Sequence, residues 1–269
     1  MQSNEQRSSQ DRTGASSYER DKGDALEFAE QIPEYLREGY RALMAGDGAT
    51  AIRLWQALFE RYPSAEVCGH LARAHYYQTF FLGHGPRHPQ HEEHIRQMRL
   101  WAERALSLNP NSSIGHAMLA AALGRLAQLA GSQRKVLNAS WQVRQHAERA
   151  LLIDKSWVAH YILGNWHREI ASVHPGLRAL AGLLRTRIPE GSYAEALAHF
   201  TEVLKQYPDN NTIYAEMAYT YEKMGDLKHA RLMYERCLSM PLFRHPIAPH
   251  LTRIAEERFR RFMEGSKGR

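Results

Sequence analysis

Cysteine is scarce in this chain. Cys68 and Cys237 are the only two among 269 residues. They lie far apart in sequence, each inside an apolar helical pattern, so both are expected as buried core thiols rather than as a disulfide. Long apolar runs are missing too, and none approaches the ~20 residues that a membrane span needs. The opening residues, MQSNEQRSSQDRTGASSYERDKGD, have no apolar centre and so lack the form of a signal peptide. A cytoplasmic location is the expectation that follows. There is no Gly-rich phosphate loop, no G-x-S-x-G elbow and no paired-carboxylate signal beyond helix surfaces. The expectation is a protein that is not an enzyme and uses no cofactor. A continuous Lys/Arg stripe is also missing. The net charge is +6 and the pI near 9.3, but the basic residues are scattered. Their densest run, Arg258, Arg260 and Arg261, is interrupted by Phe259 and Phe262. A solvated helix face accounts for that run, and no nucleic-acid partner is expected.

What is present is helical periodicity. Hydrophobic residues make up 43% of the chain and charged residues 24%, enough for a good core in one domain or an extended array. Residues 1–24 are polar, cannot bury enough surface to offset chain entropy, and read as a disordered tail. Residues 25–263 read as a single helical-repeat domain. Its clearest stretch is Ser156 to Asn210. Ala159, Ile162, Leu163, Trp166 and Ile170 share one helix face, and Gly164 lets a neighbouring helix approach closely. A second helix opens at Gly191-Ser192, carries Ala194, Leu197, Ala198 and Thr201 at i, i+3, i+4 and i+7, and closes at Pro208. Leu163-Gly164, Ala196, Phe200, Val203 and Pro208 stand where a tetratricopeptide repeat has its marker residues. Between the two helices lies an insertion, His174 to Glu190, long enough for an extra short helix.

The same pattern recurs along the chain. Repeats are expected at about 32–63 (Gly39, Ala51, Trp55, Pro63), 64–110 with Ser64 as N-cap, 111–155, 156–210 and 211–241 (Ala218, Tyr221, Gly225-Asp226, Ala230, Tyr234). Ala147-Glu148-Arg149-Ala150-Leu151 echoes Ala102-Glu103-Arg104-Ala105-Leu106, which is direct evidence of repetition. A last helix, 246–263, carries Leu251, Ile254, Ala255, Phe259 and Phe262 and is expected to cover the apolar end of the array. The predicted fold is all-α: a right-handed α-solenoid of five tetratricopeptide-like helix pairs plus a C-terminal capping helix.

The irregularities of the array resemble one family. They are carried by Leu71-Ala72-Arg73-Ala74, by Ala147 to Asp154, and by His160-Tyr161-Ile162-Leu163-Gly164-Asn165-Trp166. The insertion, Ile188-Pro189 and the helix start Ser192-Tyr193-Ala194-Glu195-Ala196-Leu197 fit as well. Over about residues 30 to 262 the chain resembles the regulator of microtubule dynamics family. The resemblance implies a helical solenoid used for interactions and, as in some animal members, work at membrane contacts with phospholipid held in the concave channel.

Function is expected on the concave face, which the first helix of each pair lines in such arrays. Counting from the Leu-Gly positions places Tyr40, Arg73, Tyr76, Tyr77, Arg125, Tyr161, Asn165, Arg168, Glu169, Tyr219 and Lys223 there. Arg supplies a planar donor fork and Tyr an amphipathic wall, which suits an acidic peptide or a lipid headgroup. The first reading is therefore a scaffold for a peptide or protein segment. The alternative is a lipid or amphiphile carrier, peripherally associated with membranes, whose groove is closed by the 175–190 insertion; that insertion could equally pack on the convex side. His84, His88, His91 and His94 have spacings that could gather Zn²⁺ or Ni²⁺, but Gly85, Pro86 and Pro89 make a solvated loop the competing reading. His116 and His160 occupy equivalent repeat positions and are expected to pack between helices, each hydrogen-bonded to a neighbour.

Overall fold

A computed structural model describes residues 33–82, 89–130, 133–183 and 188–266. The tail expected over 1–24 lies outside the described residues, as do His84 and His88. Helices α1 (Glu34–Met44) and α2 (Gly48–Arg61) form the first pair, α3 (Ala65–Phe81) and α4 (Pro89–Leu108) the second, and α5 (Ser113–Leu129) and α6 (Gln133–Ile153) the third. The fourth pair begins with α7 (Trp157–Ala171), is interrupted by the short α8 (Pro175–Leu183), and is completed by α9 (Tyr193–Gln206). A fifth pair, α10 (Asn211–Met224) and α11 (Leu227–Ser239), precedes α12 (Ala248–Ser266). No strand occurs among the described residues.

The helix starts are set by local side chains. Asp47, Ser64, Ser112, Ser156, Ser192 and Asp226 each accept a hydrogen bond from a backbone N–H two or three residues on, at 2.9 to 3.4 Å. Each satisfies a donor that the first turn would leave bare. Helix α4 begins at Pro89, where a missing N–H costs nothing. It therefore starts before Glu92, and His91 and His94 sit on a helix rather than in the expected solvated loop. Gly46 and Gly225 take φ of 79° and 81° to turn the chain within the first and fifth pairs.

Packing follows the small-to-large pairing that the sequence suggests. A Cβ on Gly164 would lie 2.7 Å from the Phe200 ring, and one on Gly39 would lie 2.3 Å from the Trp55 indole. In both pairs the second helix thus rests its largest buried side chain on a bare backbone. Trp55 and Phe200 are fully buried, and each such ring contributes roughly 2–3 kcal/mol through burial. The predicted face of α7 is buried throughout. Cys68 and Cys237 are buried free thiols, and burial pushes them up to about 11 and about 12. The first helices also touch one another in series, α1 with α3, α3 with α5, α5 with α7 and α7 with α10. They form one continuous inner wall.

Two elements depart from plain stacking. Helix α8 is tied back to α7: Arg178 donates to the Ile170 carbonyl and, at 3.3 Å, to the Pro189 carbonyl. Helix α12 covers the end of the array, as expected, with Ala255 against Ala215 and Cys237 and with Phe259 5.4 Å from the Tyr234 ring. It also does something the sequence did not suggest. The chain leading into it crosses the concave side, and Ile247 and Leu251 enter the cluster of Leu36, Leu43, Trp55 and Leu71 in the first two pairs. The Tyr77 hydroxyl and His245 Nε2, 168 residues apart in sequence, are 2.9 Å apart.

Candidate concave-face site

The inner wall, α6 and α12 line an open pocket of about 470 Å³, within the roughly 300–1,000 Å³ typical of small-ligand sites. Of the residues expected on the concave face, Tyr76, Arg125, Tyr161, Asn165, Arg168, Glu169 and Tyr219 line it. Lys223 stands outside, with its ammonium 5.2 Å from the centre of the Tyr219 ring. Tyr40, Arg73 and Tyr77 form a separate cluster towards the first pair. There Arg73 Nη1 donates to the Tyr40 hydroxyl at 2.9 Å, and that hydroxyl lies 3.0 Å from His70 Nδ1.

Other lining residues escaped the sequence reading. Thr212, Ala215 and Glu216 of α10 face the cavity, and the helical period from Tyr219 places all three on its face. Leu251, Ile254 and Arg258 come from α12, and no local signal marks them. Arg258, read as part of a solvated face, instead stacks over the Tyr219 ring at 4.3 Å. Among the described residues, the lining includes none from 175–190. Helix α12 reaches over the groove through Leu251, Ile254, Ala255 and Arg258.

Charge is unevenly compensated in this space. Arg168, 4% exposed, pairs with Glu216 at 2.5 Å and also donates to Asn165 Oδ1 at 2.5 Å and Glu169 Oε1 at 3.2 Å. Tyr161 donates to Glu216 at 3.3 Å. Burial pushes the Glu216 carboxyl up, but the Arg168 and Arg258 charges outweigh it and hold it below the ordinary carboxylate range. Burial likewise works against the Arg168 cation, and Glu216 with Glu169 reverses that. Arg125 is different. Its guanidinium reaches the Tyr76 hydroxyl at 3.4 Å, and no carboxylate among the described residues lies within ion-pair distance of it, of Arg73 or of Arg258.

The histidines pair up between helices. His116 Nδ1 lies 2.9 Å from His146 Nδ1, and His160 Nδ1 lies 2.9 Å from His199 Nδ1, so both expected positions pack as proposed. His94 makes the same contact with His75 at 2.9 Å. Such a contact is one shared proton between two neutral rings, which leaves neither Nδ1 free for a metal. Among the described residues no group of three His, Cys, Asp or Glu could hold a metal ion, and no helix is long and apolar enough to cross a membrane.

Residues 37–245 match the family model described as regulator of microtubule dynamics protein 1-3. Among solved structures, the tetratricopeptide protein TTC0263 of Thermus thermophilus is 18% identical, with a TM-score of 0.58 over 83% of this chain and 96% of that one. MamA is 14% identical, with a TM-score of 0.44 over 76% of this chain and 88% of its own. A monomeric mutant of IFIT1 with Gppp-AAAA is 16% identical, with a TM-score of 0.48 over 94% of this chain and 61% of its own. The likeness to TTC0263 concerns the fold, and the two looser ones carry no argument. No curated protein matches the chain.

Proposed function

The chain belongs to the regulator of microtubule dynamics protein 1-3 family, and from that premise and the site's geometry we propose a non-enzymatic scaffold that binds an acidic protein segment on its concave face. The supporting observation is that Arg125 and Arg258 reach the cavity with no carboxylate in ion-pair distance among the described residues, while Glu216 is already taken by Arg168. A half-buried guanidinium with no carboxylate at ion-pair distance gains from an incoming one, whose geometry its donor fork matches. Tyr76, Tyr161 and Tyr219 supply the amphipathic walls.

The test is selection of a displayed random-peptide library against the purified chain. Enriched peptides should be acidic, and R125E/R258E should weaken them at least tenfold. A neutral or basic consensus that ignores those two arginines would overturn the reading. A second reading, a small amphiphile in the cavity, draws on its mixture of cationic and apolar lining, including Phe80, Val143, Ile162 and Leu251. Native mass spectrometry of the purified chain, with solvent extraction, would detect it as a stoichiometric extra mass.

A further inference from the structure

The segment from Phe243 to Leu251 sits on the inner wall as a bound peptide would. The Phe243 N–H donates to Asn211 Oδ1 at 3.1 Å. His245 stacks against Phe243, meets the edge of Trp157 at 5.6 Å and contacts the Tyr77 hydroxyl. Ile247, 4% exposed, enters the apolar cluster of the first two pairs, and Leu251 packs beside it. His250 lies against Phe80 and Phe81, with ring centres 6.4 and 5.9 Å away.

Apart from the Phe243 N–H bond to Asn211, the contacts just described are made by side chains. Residues 240–247 are not helical, Pro241 and Pro246 limit their backbone donors, and Leu242 is half-exposed. Side chains in separate sites hold the segment, Phe243, His245 and Ile247 from its irregular part and His250 and Leu251 from the first turn of α12.

We propose that the inner wall of α1, α3, α7 and α10 recognises a partner-protein segment with an aromatic residue, a histidine two positions on, a branched aliphatic two further on and a leucine four beyond that. Residues 243–251 occupy this surface as a built-in competitor. The inference rests on the reading that the concave face binds protein; its surface meets the cavity at Phe80 and Leu251 but needs neither Arg125 nor Arg258. A tethered segment competes at a millimolar effective concentration, so a partner's apparent affinity falls by the fraction of molecules that are open. A second copy of this chain is the weaker candidate. Exchanging identical segments gains no contact and loses the freedom of a separate molecule.

The experiment uses the full chain and a fluorescein-labelled peptide of residues 240–253, read by fluorescence anisotropy. I247D/L251D should release the chain's own segment and bind the peptide at least tenfold more tightly than the unaltered chain does. Adding W157A should reverse most of that gain. F243A/H245A is the milder variant and decides the matter should the first fail to fold. Equal binding to folded variants and unaltered chain would overturn the proposal, as would an unaltered chain that proves to be a dimer exchanging this segment. The acidic-peptide selection is repeated on F243A/H245A, whose two positions lie outside the cavity lining. Its persistence alongside failure of the labelled peptide removes only this inference, and the converse removes only the acidic reading.

Discussion

A methyl group added at Gly164 would meet the Phe200 ring at 2.7 Å, while alanine in a helix interior gains up to about 1 kcal/mol over glycine. Overpacking typically costs about 1–3 kcal/mol, and here the obstacle is a fully buried ring on a neighbouring helix. Gly164→Ala should therefore lower stability by about 1 kcal/mol or more in urea unfolding; a raised midpoint would show that α7 and α9 can part freely. The Arg168–Glu216 pair gives a larger effect from one residue. Glu216→Ala leaves a guanidinium that is 4% exposed with Glu169, at 3.2 Å, as its remaining carboxylate, and removing one member of a buried pair costs up to about 3–5 kcal/mol. Replacing both, as R168M/E216L, should recover most of that loss. If the double variant is no better than the single one, the pair's worth lies in the Asn165 and Tyr161 bonds rather than in charge.

At the scale of an element, α12 is bound at two ends. Phe259 and Ala255 hold it to α10 and α11, and Leu251, with Ile247 just before the helix, holds it to the first two pairs. Ile247→Ala should cost about 2–4 kcal/mol, as for other buried aliphatic truncations. The loss should appear far from the mutation in sequence, as faster amide exchange over Leu36 to Leu43. Exchange that rises only around residue 247 would mean that the long-range contact carries little energy. The helix caps act more locally: Asp226→Ala should cost about 1 kcal/mol and open only the start of α11.

At the scale of the whole molecule, the histidines make stability depend on pH. Burial holds His75 and His245 down at about 3 and His199 at about 4, with His94, His146, His160 and His167 also below their ordinary value. The unfolded chain therefore binds more protons between its histidine pKa of roughly 6.5 and those folded values, so stability rises with pH across that window. The urea midpoint should fall as pH drops from about 6.5 towards 4. Below that, protonation of Glu216, whose carboxyl is held low in the folded state, acts in the same direction. A flat midpoint over this range would mean that the rings are hydrated enough to accept protons in place. The closure from Tyr77 to His245 also bears on cooperativity. Open solenoids unfold as sums of neighbouring repeats, whereas a contact across 168 residues joins the ends, and one unfolding transition is expected.

The sequence by itself determined the helix pairs, because their signals are local. A Ser or Asp cap, a 3.6-residue apolar period and a small residue facing a large one act over a few turns, and Ser64, Ser192, Gly164 and Phe200 carry them without reference to the rest of the chain. It also placed Tyr76, Arg125, Tyr161, Arg168 and Tyr219 on one side of the array, since counting from a Leu-Gly position fixes a helix face. Pro89 was harder to interpret, because proline breaks a helix interior yet suits a first turn, and only the packed position of α4 decided between them. The tertiary structure alone decided which arginine is neutralised, because Arg168 meets Glu216 across 48 residues and no periodicity links the two. It alone decided that α12 lines the groove, since Leu251 and Arg258 reach it only once the chain has folded back. The path of Phe243 to Leu251 is set by contacts with α1, α3, α7 and α10 that exist only once those helices have packed, and a surface shared by several helices leaves no repeating mark in any of them.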